Sequence, residues 1–332
     1  MLELRPSRTV AENKTADRRR TKVRFFMNKI SKKLLQIITD FTDEFRGAFN
    51  IRENGECAGR RSTPNIRIET KEGAPGLVIH ISSEAQKETV YIPACVTHGG
   101  VDDLVYNDFY VGAGADVTII AGCGVHTGSG ETARHNGIHS FFLEKGAHVL
   151  YKERHIGTGP ENGKKHIDSV TDAVLLEDSF LEIDTKQIGG VDSTLRKTTA
   201  RLAARARLTV HERILTEKEE TAKTYFTVSM DGEDSAVDLI SRSVAKGASR
   251  QEYHSRIMGN CRCSGHSECD AILADRGMVN AAPELFAGCM DAALIHEAAI
   301  GKIAGEQIIK LRTLGLTEAE AEEKIIEGFL RA

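Results

Sequence analysis

The sequence predicts a mainly β protein, a β-solenoid with helical segments at both ends, and three observations carry that prediction. First, a six-residue phrase recurs through the middle of the 332-residue chain: Gly114-Ala-Asp-Val-Thr-Ile119, Gly146-Ala-His-Val-Leu-Tyr151, Asp178-Ser-Phe-Leu-Glu-Ile183, Arg205-Ala-Arg-Leu-Thr-Val210 and Asp234-Ser-Ala-Val-Asp-Leu239. Each phrase has a small second residue and aliphatics at the fourth and usually the sixth position, the period-2 pattern of a half-buried strand. The fourth positions are 117, 149, 181, 208 and 237, spaced 32, 32, 27 and 29, as stacked units require. Second, there is no Trp, with 12 Phe, 6 Tyr and 30 Gly. Aliphatic ladders running down stacked coils about 4.8 Å apart account for a core with so few rings. Third, helical periodicity is confined to the two ends. An antiparallel sandwich with evenly spaced strands is the competing arrangement.

Taken in order, residues 1–26 carry six Arg and two Lys against three acids and no hydrophobic period. They are expected to be a disordered extension, with translation starting at Met27; no apolar h-region marks a secretory signal. Residues 27–64 form the N-terminal helical segment: Ile30, Leu34, Ile37, Phe41 and Phe45 recur every three or four residues, and Gly47 stops the helix. The solenoid core covers 65–280. Residues 281–332 are expected to form a helical partner-docking segment. In it Ile300, Ile303, Ile308 and Leu311 make one apolar stripe and Gly315 a stop. Thr317-Glu-Ala-Glu320 is a capping box, and Ile325, Ile326, Phe329 and Leu330 form a second stripe. Such a hairpin either caps the open end of the solenoid or presents a docking face.

Charged residues make up 28% of the chain and the net charge is −4, which argues against a polybasic nucleic-acid binder. No apolar run approaches the roughly 18 to 20 residues of a membrane helix, so a cytoplasmic protein without membrane or nucleic-acid partners is expected. No dinucleotide-binding or Walker A glycine pattern occurs. Chemistry concentrates in Cys261-Arg-Cys263-Ser-Gly-His266-Ser-Glu-Cys269-Asp270, three thiols and an imidazole of the types that bind zinc or an iron–sulfur cluster. The spacing matches no standard zinc finger, and buried cysteines can be plain packing. Extending the repeat by 32 residues from Val237 lands on Cys269, an inward position. His296 and Glu297, at the head of a helical stretch, lie about 100° apart on a helix and reach neighbouring points of one site; helix capping explains them equally. His126, His135, His139, His148, His155 and His166 form a band, read as a solvated face with satisfied imidazoles rather than a second metal surface.

At several of these residues the chain resembles the SufB/SufD family of the SUF iron–sulfur cluster assembly system. The matching motifs are Gly265-His-Ser-Glu-Cys-Asp-Ala-Ile272, Ala282-Pro283-Glu284, His296-Glu-Ala-Ala-Ile-Gly-Lys-Ile303, Glu306-Gln307, Arg312-Thr-Leu-Gly-Leu-Thr-Glu-Ala-Glu-Ala321 and Ile326-Glu-Gly-Phe329. The resemblance implies a right-handed parallel β-helix flanked by α-helical segments. It also implies a scaffold without an ATPase of its own, on which a transient iron–sulfur cluster is built and then passed to apo-proteins. The implied partners are a SufC-like ABC ATPase bound by the C-terminal helices, a sulfur donor, and a second copy of the chain or a SufD-like paralogue. Cys269 falls at the family's cluster-assembly cysteine, His296 at its histidine, and Glu297 at the acid typical of SufB-like chains. The chain is shorter than the usual SufB, which fits a compact form. Cys261, Cys263 and His266 complete the candidate metal ligands; Cys261 and Cys263 are not part of the family's general pattern.

A thiol of ordinary pKa is only a few per cent ionised at pH 7, so Arg262, His266 and His296 are expected to activate Cys269. Two other functions compete. A zinc-stabilised solenoid serving only protein interaction predicts tight zinc and no ATPase partner. A solenoid enzyme acting on carbohydrate or acyl groups would need carboxylates or imidazoles along one face, whereas here the acids are scattered and no aromatic sugar platform exists.

Overall fold

Parallel, in-register stacking determines the architecture. The computed structural model describes residues 27–40 and 45–331; the expected 1–26 extension and Phe41 lie outside them. After helix α1 (Lys29–Thr39) come strands β1 (Ala48–Glu53), β2 (Glu56–Arg61), β3 (Ile66–Thr70), β4 (Gly76–Ile81), β5 (Gln86–Val96), β6 (Asp102–Val111) and β7 (Asp116–His126). The chain continues with β8 (Thr132–Leu143), β9 (His148–Thr158), β10 (Lys164–Leu175), β11 (Phe180–Gln187), β12 (Ser193–Leu202) and β13 (Arg207–Thr216). Then follow β14 (Thr221–Met230), β15 (Ser235–Ala245), β16 (Arg250–Gly259), β17 (Cys263–Leu273), β18 (Met278–Ala287) and β19 (Ala292–Gly301), and finally α2 (Gly305–Thr313) and α3 (Glu318–Arg331). Odd strands from β5 to β19 stack in one sheet, ending on β1 and β2, and even strands from β4 to β18 in the other, ending on β3. Each coil therefore contributes one strand to each wall. All pairs are parallel except β1–β2 and β3–β4. The protein is a β-solenoid; the sandwich is excluded.

The repeated phrase is the corner of each coil. Its first residue has positive φ at Gly114, Gly146, Asp178, Arg205 and Asp234 (57° to 70°). Its second residue donates back across the turn, as from Ala115 N to Gly112 O at 3.1 Å and from Ser179 N to Leu176 O at 3.1 Å. A turn with positive φ at its third residue favours Gly there, and the short Asp is the next choice. The residue after it tucks under the neighbouring coil: Ala115, Ala147, Ser179, Ala206 and Ser235 are buried, so only small side chains fit. The fourth positions stack directly as Val117, Val149, Leu181, Leu208 and Val237, all buried. The next rung is Gly265, only 28 residues on, so Cys269 lies four residues past the expected rung and pairs with Ser241. Four is an even number, so Cys269 still points inward and is 1% exposed.

The ends depart from the sequence reading. α1 buries Ser31, Leu34, Leu35 and Ile38, while Ile30 is exposed, a face turned one residue from that expected. It lies on the outside of the odd-strand sheet over Gly122 and Gly124; a Cβ on Gly124 would sit 2.9 Å from Leu34 Cβ. The helix ends at Thr39 with Asp40 left-handed, not at Gly47. Gly47 immediately precedes β1 at φ 134°, where a Cβ would meet Thr89 O at 2.1 Å. Residues 48–61, assigned to the helical segment, are strands. At the other end the strands run on through Gly301, and only 305–331 of the expected 281–332 segment contains helix. The capping box is present: Thr317 N donates to Glu320 Oε2 at 2.8 Å and Glu320 N to Thr317 Oγ1 at 3.3 Å. α3 packs Ile326 and Leu330 sideways onto Val244, with Leu215 and Ile272. It does not cover the last coil, where Phe286 and Ile295 are 56% exposed. Among the described residues no helix is long and apolar enough to cross a membrane.

The ladder, not the end coil, should carry stability. Leu208→Ala removes a fully stacked rung and should cost about 2–5 kcal/mol in chemical denaturation. Phe286→Ala on the exposed coil should stay within about 0.5 kcal/mol. Equal effects would refute this division.

Candidate functional site

The candidate residues sit on the last two rungs of the odd-strand sheet. In β17, Cys263, Gly265, Ser267, Cys269 and Ala271 point inward, and Ser264, His266, Glu268 and Asp270 outward. β19 stacks in register, so Ser267 opposes His296, Glu268 opposes Glu297 and Cys269 opposes Ala298. His296 and Glu297 are thus strand neighbours and face opposite sides of the sheet; they are not helical, and no 100° offset joins them. The inner face brings together Cys269, Ser267 and His296, and the Nδ1 of His296 is buried without a hydrogen-bond partner. The outer face brings together His266, whose Nδ1 lies 2.8 Å from Asp238 Oδ1, and Glu297, 3.9 Å from His266 Nε2.

The dense Cys261–Asp270 stretch does not close into one ligand cluster. At about 3.3 Å per strand residue, Cys263 and Cys269 lie roughly 20 Å apart on the same face. Cys261 and Cys263 instead neighbour Cys289. Burial pushes both thiols up; Cys263 and Cys289 raise Cys261 further, whereas hydrogen bonds from Cys261 partly offset the rise at Cys263. The expected activation of Cys269 is absent as well. Arg262 is held on the outer turn by Asp234 at 2.8 Å, and His266 faces out. Burial, with the carboxylates of Glu212 and Asp270 adding to it, pushes the Cys269 thiol up to about 12. In this closed state it is a neutral thiol.

Behind Cys269 a column of polar side chains runs up the interior. Ser241, its rung partner, donates to Glu212 Oε2 at 2.9 Å, and Thr224 donates to Glu212 Oε1 at 2.9 Å. Arg196 lies 3.5 Å from Glu212 through Nε and donates to Glu153 Oε2 at 2.8 Å through Nη1. Tyr151 donates to Glu153 Oε1 at 3.0 Å, and His155 Nε2 lies 3.3 Å from the same oxygen. Glu153, Arg196 and Glu212 are all buried. Burial opposes the charge on Glu153, yet His155 and Arg196 hold its carboxyl well below the usual range. Burial pushes Glu212 up, and the more distant contact with Arg196 offsets this only in part. Below Cys269, Ser267 Oγ meets Tyr253 OH at 3.0 Å and Ser255 Oγ at 2.9 Å.

The histidine band is not a solvated face. His135, His139 and His155 are inside the solenoid, at 2%, 4% and 1% exposure, and only His126, His148 and His166 reach the surface. Burial pushes His139 down to about 4, so it is a neutral imidazole. Sequence reasoning missed this interior set, although its parity was readable: Val149, Tyr151, Glu153 and His155 continue one alternation, as do Leu208, Val210 and Glu212.

Comparison with known proteins completes the picture. An iron-sulfur cluster assembly SufBD family protein of Methanothermobacter thermautotrophicus (strain Winter) is 29% identical over 279 residues, 81% of this chain and 65% of that protein. One from Archaeoglobus fulgidus is 28% identical over 268 residues, covering 80% of this chain and 70% of the relative. One from Pyrococcus horikoshii is 36% identical over 92 residues, 27% of this chain and 21% of that protein. The chain thus spans just under two thirds of the length of the first of these relatives. The family model for "SUF system FeS cluster assembly, SufBD core domain" matches residues 106–329, from β6 to the last turns of α3. With two thirds of its length matched, this solenoid belongs to the SufBD family of iron–sulfur cluster assembly proteins.

Proposed function

We propose that this chain is a SufB-like scaffold on which an iron–sulfur cluster is assembled at Cys269, with His296 and Glu297, before transfer to apo-proteins. The observation that carries the reading is the juxtaposition of Cys269 with His296 on the inner face of the terminal rungs, where the His296 Nδ1 is buried and unpartnered. β19 is the edge strand of its sheet, so a cluster held at that edge is reachable from both faces, by His296 from one and Glu297 from the other. One thiolate with imidazole and carboxylate makes a set poorer in thiolate than Cys₄, which suits a cluster that must leave. His266 on the outer face, and Cys261 and Cys263 beside Cys289, serve as further metal ligands in this reading.

The partners follow from the same end of the molecule. α2 buries no residue and exposes Ile309 (61%) and Leu314 (75%), an apolar surface suited to a SufC-type ABC ATPase that supplies the ATP hydrolysis this chain lacks. The open coil β18–β19 suits a second copy or a SufD-like paralogue, since its edge hydrogen-bonding groups are unpaired. The work is cytoplasmic. Because the Cys269 thiol is buried and neutral, ligation requires the terminal rungs to open, and ATP-driven movement of the bound partner supplies that opening.

Anaerobic reconstitution of the purified chain with iron and sulfide tests the assignment. Wild type should develop visible cluster absorption, Cys57→Ser should match it, and Cys269→Ser should lose most of it. Full absorption in Cys269→Ser, or retention of stoichiometric zinc with no cluster, would sink the reading. Closure of the site has its own readout. In the folded protein an alkylating reagent should modify exposed Cys57 readily and leave Cys269 untouched, whereas denaturant should expose both to labelling. Rapid native labelling of Cys269, mapped by peptide mass spectrometry, would show that no opening step is needed.

A further inference from the structure

A second place in the fold has the chemistry of a metal centre, remote from Cys269 and on different rungs. Cys123 of β7 stands directly opposite His155 of β9, and Glu153 is the previous inward residue on β9. The Cys123 Sγ, a Glu153 carboxylate oxygen and an imidazole nitrogen of His155 all lie within 4.8 Å of one another. The three residues are 5%, 2% and 1% exposed. Nδ1 of His155 and Nδ1 of His139 are buried without a hydrogen-bond partner, while His155 Nε2 meets the Glu153 carboxylate at 3.3 Å. Beside them is an enclosed cavity of about 20 Å³ lined by Cys123, Glu153, His135 and His139, room for one water or one ion. Gly137 keeps that space open: a Cβ there would sit 2.8 Å from His139 Nε2 and 3.6 Å from His135 Nε2.

We propose that Cys123, Glu153 and His155 form a buried site for one divalent transition-metal ion of the zinc or iron(II) class, with its fourth position open to the cavity beneath His139. Thiolate, imidazole and carboxylate together suit these borderline ions and not magnesium or calcium, which demand oxygen ligands. The Arg196 guanidinium, which donates to Glu153 and lies 3.5 Å from Glu212, already offsets carboxylate charge beside the position a thiolate-bound dication would take. Metal binding also gives the unpartnered His155 nitrogen a partner. Three protein ligands leave the fourth position to a water or small ligand, unlike a closed four-ligand structural site. The site owes nothing to the cluster-assembly reading of Cys269.

Because the site is enclosed, metal should be loaded during synthesis. The full chain is produced in zinc-depleted medium with added cobalt, desalted, and analysed for bound metal and absorption. Wild type should retain about one equivalent of cobalt with a thiolate-to-cobalt charge-transfer band. Cys269→Ser should keep both. Cys123→Ser, nearly isosteric, should lose the band, and Glu153→Gln and His155→Ala should weaken retention at least about tenfold. Denaturation midpoints of the metal-free variants separate ligand loss from misfolding. The same series is run in a Cys261→Ser/Cys263→Ser background, which removes the other neighbouring thiols; there, a folded protein that retains no metal, or a band that survives Cys123→Ser, overturns the proposal.

Discussion

Everything in this molecule follows from one constraint: each residue of a strand sits directly over its counterpart one coil away, and the parity of its position fixes whether it points in or out. A slip of one residue would turn every aliphatic ladder outward and every surface charge inward. The corners hold the register. A positive-φ residue followed by a buried Ala or Ser recurs at Gly114–Ala115, Gly146–Ala147, Asp178–Ser179, Arg205–Ala206 and Asp234–Ser235. Coil length varies from 27 to 32 residues between rungs, but the variation is absorbed in the turns and the strands stay aligned.

The same parity forces ionised groups into the interior. Glu153 and Glu212 follow aliphatics at even offsets, so the fold cannot turn them to water without turning out Val149 and Leu208. Isolated buried carboxylates cost several kcal/mol each by desolvation. Arg196, on the opposite wall, bridges both, and Tyr151, Thr224 and Ser241 satisfy the remaining oxygens. A network this complete at its centre, with Nδ1 of His155 and of His139 left unpartnered, is not optimised for stability alone. Apolar residues of similar volume would pack the interior without that cost.

How much was legible in the sequence divides along the same line. The solenoid was readable because its phrase repeats in both composition and period. The strand character of 292–301 was not, because Ala292-Ala-Leu-Ile-His-Glu-Ala-Ala-Ile300 is rich in strong helix formers. Backbone pairing with β17 overrides that preference, and the clue was the ladder continuing from Gly265 to Leu294. The consequence reaches the site: on a helix His296 and Glu297 share a neighbourhood, on a strand they face opposite sides. Likewise Cys261, Cys263, His266 and Cys269 look like one cluster when counted by separation, but an extended strand spreads them over roughly 20 Å and two faces. Conversely, Cys123, Glu153 and His155 are scattered over 33 positions and become neighbours only through coil stacking.

The two ends of the interior column differ in a way that bears on chemistry. Around Cys123 a guanidinium, three imidazoles and carboxylates are already in place, although burial and Glu153 push its thiol up as well. Around Cys269 the charged groups that act on the thiol are the carboxylates of Glu212 and Asp270, which add to burial in pushing it up to about 12. The terminal rungs are the ones built to yield: β19 is paired on one edge only, its residues are largely exposed, and α3 braces the preceding strands and not the last coil. The closed solenoid thus protects the thiol by the same burial that silences it, and the open edge is where that protection can be removed.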